Sequence, residues 1–438
     1  MEAWQSLVHV CRRWRSLVLR SPRRLNLRLF CTSRTPTKDA LDVWPALPLV
    51  VEGSMTLSGT DNIIAALGQS NRVCQVSLRG LAGCQLEKVL VAMQVPFPNL
   101  TDLQIFSDGE TLPVIPVPDS FLSGSAPRLR IFTWDGIPFP GLPNLLLSAN
   151  HLVNLAFINI PHSGYFSPEA IVALLCALSS LGTLHLGFQS PQSRPDWESR
   201  ILPPLKRFTL PALKEFHFKG VTEYLEELVT RIDTPRLNGM DITFFNQIDF
   251  DCPRLAQFIH YTPTLRARDE AHVQFDDYFA GVGFRYRTST FSLDNLLIKI
   301  SCREPDWQVS SIEQICNCSL HPLSVVEDLY FEHQYSQLVW KNDAIEDALW
   351  LPVLLPFIAV KNLYLSKEFG PDIAAALQEL VGDRITEVLP SLQNIFVEGL
   401  EPWGPFQENI GQFAAVRRRS GHPITISVWD KDSNRELM

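Results

Sequence analysis

The stretch LPALKEFHF, residues 210–218, holds the pattern that decides the fold. Leu213, Phe216 and Phe218 follow the order apolar, two residues, apolar, one residue, apolar, and a proline ahead of them ends the preceding element. Successive side chains of a β-strand point to opposite faces, so Phe216 and Phe218 share one face and their polar neighbours share the other. The stretch therefore predicts a turn followed by a short strand with one buried and one open face.

The same pattern recurs from residue 73 nearly to the end of the chain. Its apolar triplets are Val73/Val76/Leu78, Leu100/Leu103/Ile105, Leu129/Phe132/Trp134, Leu152/Leu155/Phe157, Leu181/Leu184/Leu186, Leu213/Phe216/Phe218, Leu237/Met240/Ile242, Val326/Leu329/Phe331, Val360/Leu363/Leu365 and Leu392/Ile395/Val397. The early triplets begin roughly 23 to 32 positions apart, around the period of about 20 to 29 of leucine-rich repeats, though irregularly. The recurrence predicts an array in which each repeat contributes one strand.

Segments with the three- and four-residue apolar spacing of helices lie between these strands. Ser167 followed by proline is typical of a helix N-cap with proline in the first turn. Other candidate helices run from Asp61 to Gln69, Leu86 to Met93, Ala344 to Leu349, and Pro371 to Leu380, the last with Gly382 as its expected C-cap.

Strand, crossover helix and next parallel strand, repeated in one hand, predict an α/β leucine-rich-repeat-like solenoid with a curved parallel sheet inside and helices outside. Between about Asp249 and Ser324 the rhythm is lost, and the sequence there favours an irregular repeat whose strands cannot be assigned. The alternative is a non-solenoid α/β fold, because leucine-rich sequence in any α/β protein produces a few accidental matches. We expect residues 25–429 to form the solenoid, after a helical segment at 1–24 and before a polar tail at 430–438.

Composition narrows the class of protein. The chain has 438 residues, of which 46% are apolar and 19% charged, and its net charge is −9. This is a globular composition, and a repeat array escapes the limit of roughly 250 to 300 residues on a single core. Net negative charge argues against a nucleic-acid-binding role for the whole chain, since phosphate binding needs a basic surface.

The cysteines and apolar runs predict an intracellular protein, cytoplasmic, nuclear or both. Nine cysteines without a C-x-x-C pair favour buried thiols in a reducing compartment. The closest pair, Cys316 and Cys318, lacks zinc-finger spacing and is interpreted as two small core residues, so no metal or other cofactor is expected. The longest apolar stretch, Leu349 to Val360, is too short to cross a bilayer, and no membrane association is expected.

The N-terminal segment is a separate electrostatic unit. Glu2 is the sole acidic residue before Asp39, and arginines are abundant there. An apolar stripe runs along one face of its predicted helix, formed by Trp4, Leu7, Val8, Cys11, Trp14, Leu17 and Val18. One interpretation is a helix that caps the open end of the solenoid, and a weaker one is a nucleic-acid-binding arm.

The stretch LVHVCRRWRSLVLRSPRRLNLRL, residues 7–29, resembles the second half of an F-box. Further stretches, among them SGYFSPEAIVALLCALSSLGTLHLGF at 163–188 and ALQELVGDRITEVLPSLQNIFVEGL at 376–400, resemble a large fungal family of F-box proteins with leucine-rich-repeat-like C-terminal regions. The resemblance covers almost the whole chain.

Membership of that family would imply a substrate receptor of an SCF-type ubiquitin ligase, a non-catalytic subunit. The F-box would dock on a Skp1-like adaptor and the solenoid would hold an unknown protein substrate. By this resemblance the adaptor-binding residues would be Leu7, Val10, Cys11, Trp14, Leu17 and Val18.

One departure from the F-box pattern keeps a second hypothesis open. An F-box begins with a Leu-Pro motif and a first helix, which this sequence lacks ahead of Trp4, so we expect a truncated F-box. Losing apolar anchors weakens docking in a groove. The alternative function is an adaptor-independent binding scaffold.

The sequence contains none of the common local motifs of hydrolases, metalloproteases or nucleotide-binding proteins, and no catalytic residue is predicted. His185 and His217 fall at the polar position between the last two apolar residues of their triplets, where we expect surface contacts rather than a catalytic or metal-binding pair. A mixed polar and aromatic strand face suits protein recognition. The predicted concave-face binding residues are Gln104, Thr133, His185, His217, Asp241, Tyr330, Tyr364 and Phe396.

Overall fold

The computed structural model describes most of the chain, in the following ranges: residues 10–19, 25–34, 37–43, 46–54, 59–81, 83–107, 117–118, 120–138, 144–191, 207–246, 251–266, 268–286, 296–318, 323–333, 349–380, 382–399 and 405–429. The chain divides into two compact units. The first comprises residues 1–213 and 231–233, and the second comprises residues 214–230 and 234–438.

The first unit is a stack of parallel strands with helices between them. Its sheet contains, in spatial and chain order, β1 (Leu27–Cys31), β2 (Leu49–Ser54), β3 (Val73–Leu81), β4 (Asp102–Ser107), β5 (Ile131–Asp135), β6 (Asn154–Ile160) and β7 (Thr183–Phe188). A separate two-stranded parallel pair joins β8 (Phe208–Thr209) and β10 (Ile232–Asp233). The helices are α1 (Arg12–Leu19), α2 (Thr37–Val43), α3 (Thr60–Leu67), α4 (Gly83–Ala92), α5 (Asn144–Leu147) and α6 (Pro168–Leu175).

The second unit repeats this plan with one interruption. Its strands are β9 (Glu215–Gly220), β11 (Gly239–Phe245), β12 (Glu270–Phe275), β13 (Phe279–Arg285), β14 (Leu296–Ser301), β15 (Asp328–His333), β16 (Asn362–Leu365), β17 (Asn394–Glu398) and β18 (Thr425–Trp429). Its helices are α7 (Thr222–Val229), α8 (Pro253–Tyr261), α9 (Pro305–Asn317), α10 (Trp350–Leu354), α11 (Gly370–Gln378) and α12 (Pro405–Arg419).

The apolar triplets of the sequence form the core of both units. Every residue of the triplets from Val73 to Val397 is buried, and the last two of each lie on a strand. Helices cover this side of the sheet: in the first unit, Ile63 of α3 packs so closely on Gly53 of β2 that a Cβ at Gly53 would lie 2.8 Å from its Cδ1. The predicted α/β leucine-rich-repeat-like fold is thus confirmed, with a parallel-dominated sheet and helices against its apolar face.

The stretch without rhythm contains the interruption. The spatial order in the second unit is β9-β11-β14-β13-β12-β15-β16-β17-β18, so three consecutive strands enter the sheet in reverse. β13 runs antiparallel to both β12 and β14, whereas β12 is parallel to β15 and β14 is parallel to β11. The irregular repeat expected between about Asp249 and Ser324 thus takes the form of an antiparallel strand among parallel ones, because residues 276–278 form a tight connection that returns the chain antiparallel.

Buried arginines tie the turns of the second unit together. The guanidinium of Arg417 is fully buried and donates to the carbonyl oxygens of Ile385, Leu389 and Leu392 at 2.8, 3.3 and 3.4 Å. Arg268 is equally buried and donates to backbone carbonyls, including that of Phe284 at 2.9 Å. Because these hydrogen bonds reach backbone oxygens of separate segments, each arginine acts as a cross-link between loops.

The predicted helices correspond to α3, α4, α6 and α11 with small shifts of their ends. Ser167 caps α6 as expected, its Oγ accepting from the backbone N–H of Ala170 at 3.3 Å. The expected C-cap at Gly382 is wrong, because α11 ends at Gln378 and Gly382 begins a separate 3₁₀ turn. The candidate helix from Ala344 to Leu349 lies almost wholly outside the described residues.

Candidate functional site

The strand side chains that alternate with the core residues define what we call the open face of each unit. In the first unit, strand pairing puts Gln104, Thr133 and His185 in one row, together with Ser77 and Ala156. Ala156 is the buried member of this row, and its partners on the neighbouring strands are the larger residues Thr133 and His185. Strand pairing continues this row from Ser77 to Glu52 and Phe30, so it mixes polar, charged and aromatic side chains, as protein-contact surfaces do.

The second unit has a longer row with more aromatic residues. Strand pairing aligns, from β9 to β18, His217, Asp241, Leu297, Gly283, His272, Tyr330, Tyr364, Phe396 and Ser427. All five of the concave-face residues predicted in this part of the chain therefore lie on one line across the sheet. Their role in binding stays a prediction.

Four rings of this row stack into what we call the aromatic ladder, formed by His272, Tyr330, Tyr364 and Phe396. The ring centroids of successive members lie 4.4, 4.1 and 4.6 Å apart, and their planes are inclined by 3°, 8° and 10°. Stacking occupies the faces of the middle rings, so ring edges and the tyrosine hydroxyls point away from the sheet. Such a surface offers apolar area and hydrogen-bonding groups together, as in protein interfaces.

Trp429 on the last strand leans over the ladder. Its ring lies 5.5 Å from that of Tyr364 at 68° and 5.9 Å from that of Tyr330 at 59°. The indole is 6% exposed, and its Nε1 has no hydrogen-bond acceptor among the described residues. Ring contacts rather than a hydrogen bond therefore hold its position within the part of the chain that the structure describes.

A second, polar line runs beside the ladder. Asn362 donates to Asp328 at 2.5 Å, and Asn394 donates to the side-chain oxygen of Asn362 at 2.8 Å. Thr425 continues the line with a hydrogen bond to Asn394. Asp328 lies on the open face of β15 and is nevertheless buried, with the amide of Asn362 donating to its carboxylate. The line fixes the strand register on which the ladder depends.

An ionic cluster occupies the other end of the row. Lys299 lies 2.8 Å from Asp241, and the ring nitrogens of His217 lie 3.9 Å from Asp241 and 4.0 Å from Glu215. Burial alone would raise the pKa of Asp241, but hydrogen bonding from His217 and the nearby charge of Lys299 hold it below its ordinary value. Asp241 reaches His217 through strand pairing, which sequence spacing does not reveal, whereas Glu215 lies two residues before His217 on the same strand.

His272 is the functional-site candidate that the sequence did not reveal. It is 5% exposed, and its ring nitrogens lie 3.7 Å from carboxylate oxygens of Glu270 and Glu332. Its strand, EAHVQF, does alternate polar and apolar residues, but it lies in the stretch where no apolar triplet marks the register. The alternation of polar and apolar residues in this strand is the sequence signal that could have placed His272 on the open face.

The described residues offer little for catalysis. No group of three or more histidine, cysteine or acidic side chains among them could hold a metal ion. Burial raises the pKa of the thiol of Cys31 to about 11 and raises those of Cys252 and Cys316 further, which disfavours their nucleophilic thiolate form. Likewise, none of the helices in the described ranges has the length and apolar character needed to span a bilayer.

The N-terminal helix α1 presents its apolar residues to solvent. Val10, Trp14 and Leu17 are 64%, 47% and 56% exposed, and Cys11 is exposed as well. Of the other predicted adaptor-binding residues, Leu7 lies outside the described residues, and the side chain of Val18 is not described. The interpretation of this helix as a cap on the solenoid predicts a buried apolar face. The described side chains from Val10 to Leu17 do not fit it, because none of them is buried.

Comparisons with known proteins find likeness in structure alone. No protein-family model matches the sequence, and no curated protein matches it. The leucine-rich-repeat-containing protein LegL7 from Legionella pneumophila is 11% identical, with a TM-score of 0.28, over 89% of this chain and 98% of its own. A leucine-rich-repeat protein of Leptospira interrogans is 12% identical, with a TM-score of 0.26, over 94% and 97%. Likeness at this level says nothing about what the chain binds.

Proposed function

We propose that this chain is a non-catalytic protein-binding subunit, the substrate receptor of an SCF-type ubiquitin ligase. In this proposal the open strand faces bind the target protein and the N-terminal helix binds a Skp1-like adaptor. The F-box-like sequence of residues 7–29 and the aromatic ladder support the two halves of the proposal.

The observation that carries the proposal is the exposed apolar stripe of Val10, Trp14 and Leu17. Trp14 and Leu17 are three positions apart in α1, so they share one side of this helix, and Val10 lies just ahead of its first residue. A helix as short as α1, with 8 residues, is marginal in water without packing. Large apolar side chains exposed together on such a helix are typical of a surface that packs against a partner.

Isothermal titration of the full chain with a purified Skp1-like adaptor tests the proposal. We expect binding that Trp14→Asp abolishes, because a charge at the centre of the stripe cannot enter an apolar groove. Val43→Asp is the matched control, since Val43 is also an exposed apolar residue on a short helix and should not matter. Absence of binding, both by this chain and by one extended with an upstream Leu-Pro helix, would contradict the proposal.

The second candidate is an adaptor-independent scaffold. It is supported by the aromatic ladder, which offers a protein-contact surface on strands of the second unit and involves no residue of α1. It predicts that the chain binds its target without binding the adaptor, and that inhibition of the proteasome does not change the lifetime of the bound target.

A further inference from the structure

We infer that the open face of the second unit binds an extended peptide segment carrying an arginine or lysine side chain. The basic side chain would sit at what we call the ladder corner, formed by Tyr364, Phe396, Glu398 and Trp429. The inference rests on the proposed protein-binding function and names the class of segment bound.

The corner is where the aromatic ladder ends. Phe396 stacks on Tyr364 on one side, but its neighbour in the row on the other side is Ser427, a small and exposed residue. One face of the Phe396 ring therefore lies next to a short side chain and not next to another ring. A planar guanidinium or an ammonium group is attracted to the face of an aromatic ring.

Glu398 supplies the charge for such a contact. It lies two residues beyond Phe396 on the same face of β17, and strand pairing sets it beside Trp429. Its side chain is half-buried and makes no salt bridge among the described residues. Partial burial strengthens the attraction between a carboxylate and an incoming cation, because less water screens it.

The charge composition of the surrounding face agrees with this polarity. Around the corner, the open-face positions of β15–β18 include the carboxylates of Glu332 and Glu398 and, among the described residues, no lysine or arginine. Farther away, Glu270 of β12 is paired with Arg285 of β13, and Asp328 is buried. Such a face repels acidic segments and steers basic ones towards it. The ionic cluster of Asp241 and Lys299, several strands away, has no such excess of one sign.

Two further observations favour a peptide over a sugar or a nucleobase. The middle rings of the ladder stack on each other, so a flat ligand cannot lie on their faces. Their edges nevertheless form a line across neighbouring strands along which an extended segment can lie.

Panning of the immobilised full chain against a phage-displayed library of random dodecapeptides tests the inference. We expect enriched peptides to contain arginine or lysine and to be depleted in acidic residues. Fluorescence anisotropy of a fluorescein-labelled enriched peptide should then show affinity about fivefold weaker for Glu398→Gln and for Phe396→Leu.

Matched variants separate this effect from general changes in charge or stability. Glu379→Gln removes the same charge from an exposed position at the end of α11, and Tyr261→Leu removes an exposed ring from α8. Both should bind the peptide within about twofold of the parent chain. Thermal unfolding of all four variants checks that each is folded.

Enrichment without basic residues, affinity insensitive to both corner substitutions, or failure to enrich any peptide would overturn the inference. The adaptor titration involves α1 and not the corner, so it reports on the proposed function separately. If apolar or acidic peptides bound the open face, the inference of a basic segment would be wrong, but the proposed protein-binding role would still hold.

Discussion

Tyr330 and Tyr364 stack face to face on neighbouring parallel strands, with ring centroids 4.1 Å apart and planes inclined by 8°. They are direct partners in the strand register, so backbone pairing and ring stacking support one another. Each ring in the middle of the ladder has two stacked neighbours, which makes a middle position more sensitive to substitution than an end position.

Tyr364→Ala should lower the free energy of unfolding by about 2 kcal/mol, because it removes the stacking with Tyr330 and Phe396 and the edge contact with Trp429. Tyr364→Phe keeps the ring and should change stability by less than about 0.5 kcal/mol. Urea unfolding followed by circular dichroism measures both. Equal losses for the two variants would show that the hydroxyl, not the stacking, stabilises this face.

Arg417→Met should be strongly destabilising, by about 3 kcal/mol, since it leaves several buried carbonyl oxygens without their donor. Burial lowers the pKa of the Arg417 guanidinium, yet arginine stays protonated in this environment. Arg419→Met, at an exposed position of the same helix, is the control and should be nearly neutral. Similar urea midpoints for the two variants would contradict the cross-linking role of Arg417.

Gly281→Ala should destabilise the second unit by about 1 to 3 kcal/mol. A Cβ at this position would lie 2.7 Å from Cγ of Lys299 and 2.8 Å from the backbone oxygen of Ile298, and the latter cannot move without disturbing the sheet. Gly411→Ala is the matched control: it lies in α12 with nothing within 4 Å of the added methyl group, so it should stabilise by about 0.5 to 1 kcal/mol. If both substitutions shifted the melting temperature in the same direction, the result would argue against tight packing of β13 on β14.

The lowered pKa of Asp241 predicts a pH-dependent contribution to stability. A carboxyl whose pKa is lower in the folded state stabilises the fold above its unfolded pKa of about 3.9, and this contribution is lost as the pH falls through the folded value. The stability difference between the parent chain and Asp241→Asn should therefore be constant above about pH 5 and shrink below pH 4. Urea midpoints from pH 7 to pH 3 measure it, and a difference independent of pH would contradict the lowered pKa.

Alkylation should separate the cysteines by burial. Cys11 and Cys84 are exposed and should react with iodoacetamide at pH 8 in the native protein. Burial raises the pKa of the Cys31 thiol to about 11 and also raises the pKa of the Cys252 and Cys316 thiols, so these three should hold little reactive thiolate at that pH. Mass spectrometry of peptides before and after unfolding checks the order. Rapid native labelling of Cys316 would contradict its burial.

The sequence predicted the parts of the fold that repeat. A triplet such as Leu392, Ile395 and Val397 carries both the strand and its buried face, because side-chain alternation and the core require each other. The open-face positions followed from the same alternation, so Tyr330, Tyr364 and Phe396 were predicted to lie on one face.

What the sequence did not predict depends on contacts between distant segments. β12 lies between β13 and β15 in the sheet, and no periodicity in the sequence specifies which strands it pairs with. The sequence therefore did not predict that His272 belongs to the aromatic ladder. It also did not predict the burial of Asp328, which accepts a hydrogen bond from Asn362 on the neighbouring strand. Burial on an open face depends on neighbours from other repeats, which a pattern within one repeat cannot show.

The reversed strands also determine the order in which the second unit can be completed during synthesis. A chain that has emerged only as far as β13 holds β12 and β13 as a hairpin with no bonded neighbour, because β14 and β15 have not yet been made. Once β14 emerges and pairs with β11, the whole three-strand meander joins the sheet in one step. Growth before and after this point proceeds strand by strand, so we expect the emergence of residues 296–301 to be the step at which a nascent chain gains the most protection from proteolysis.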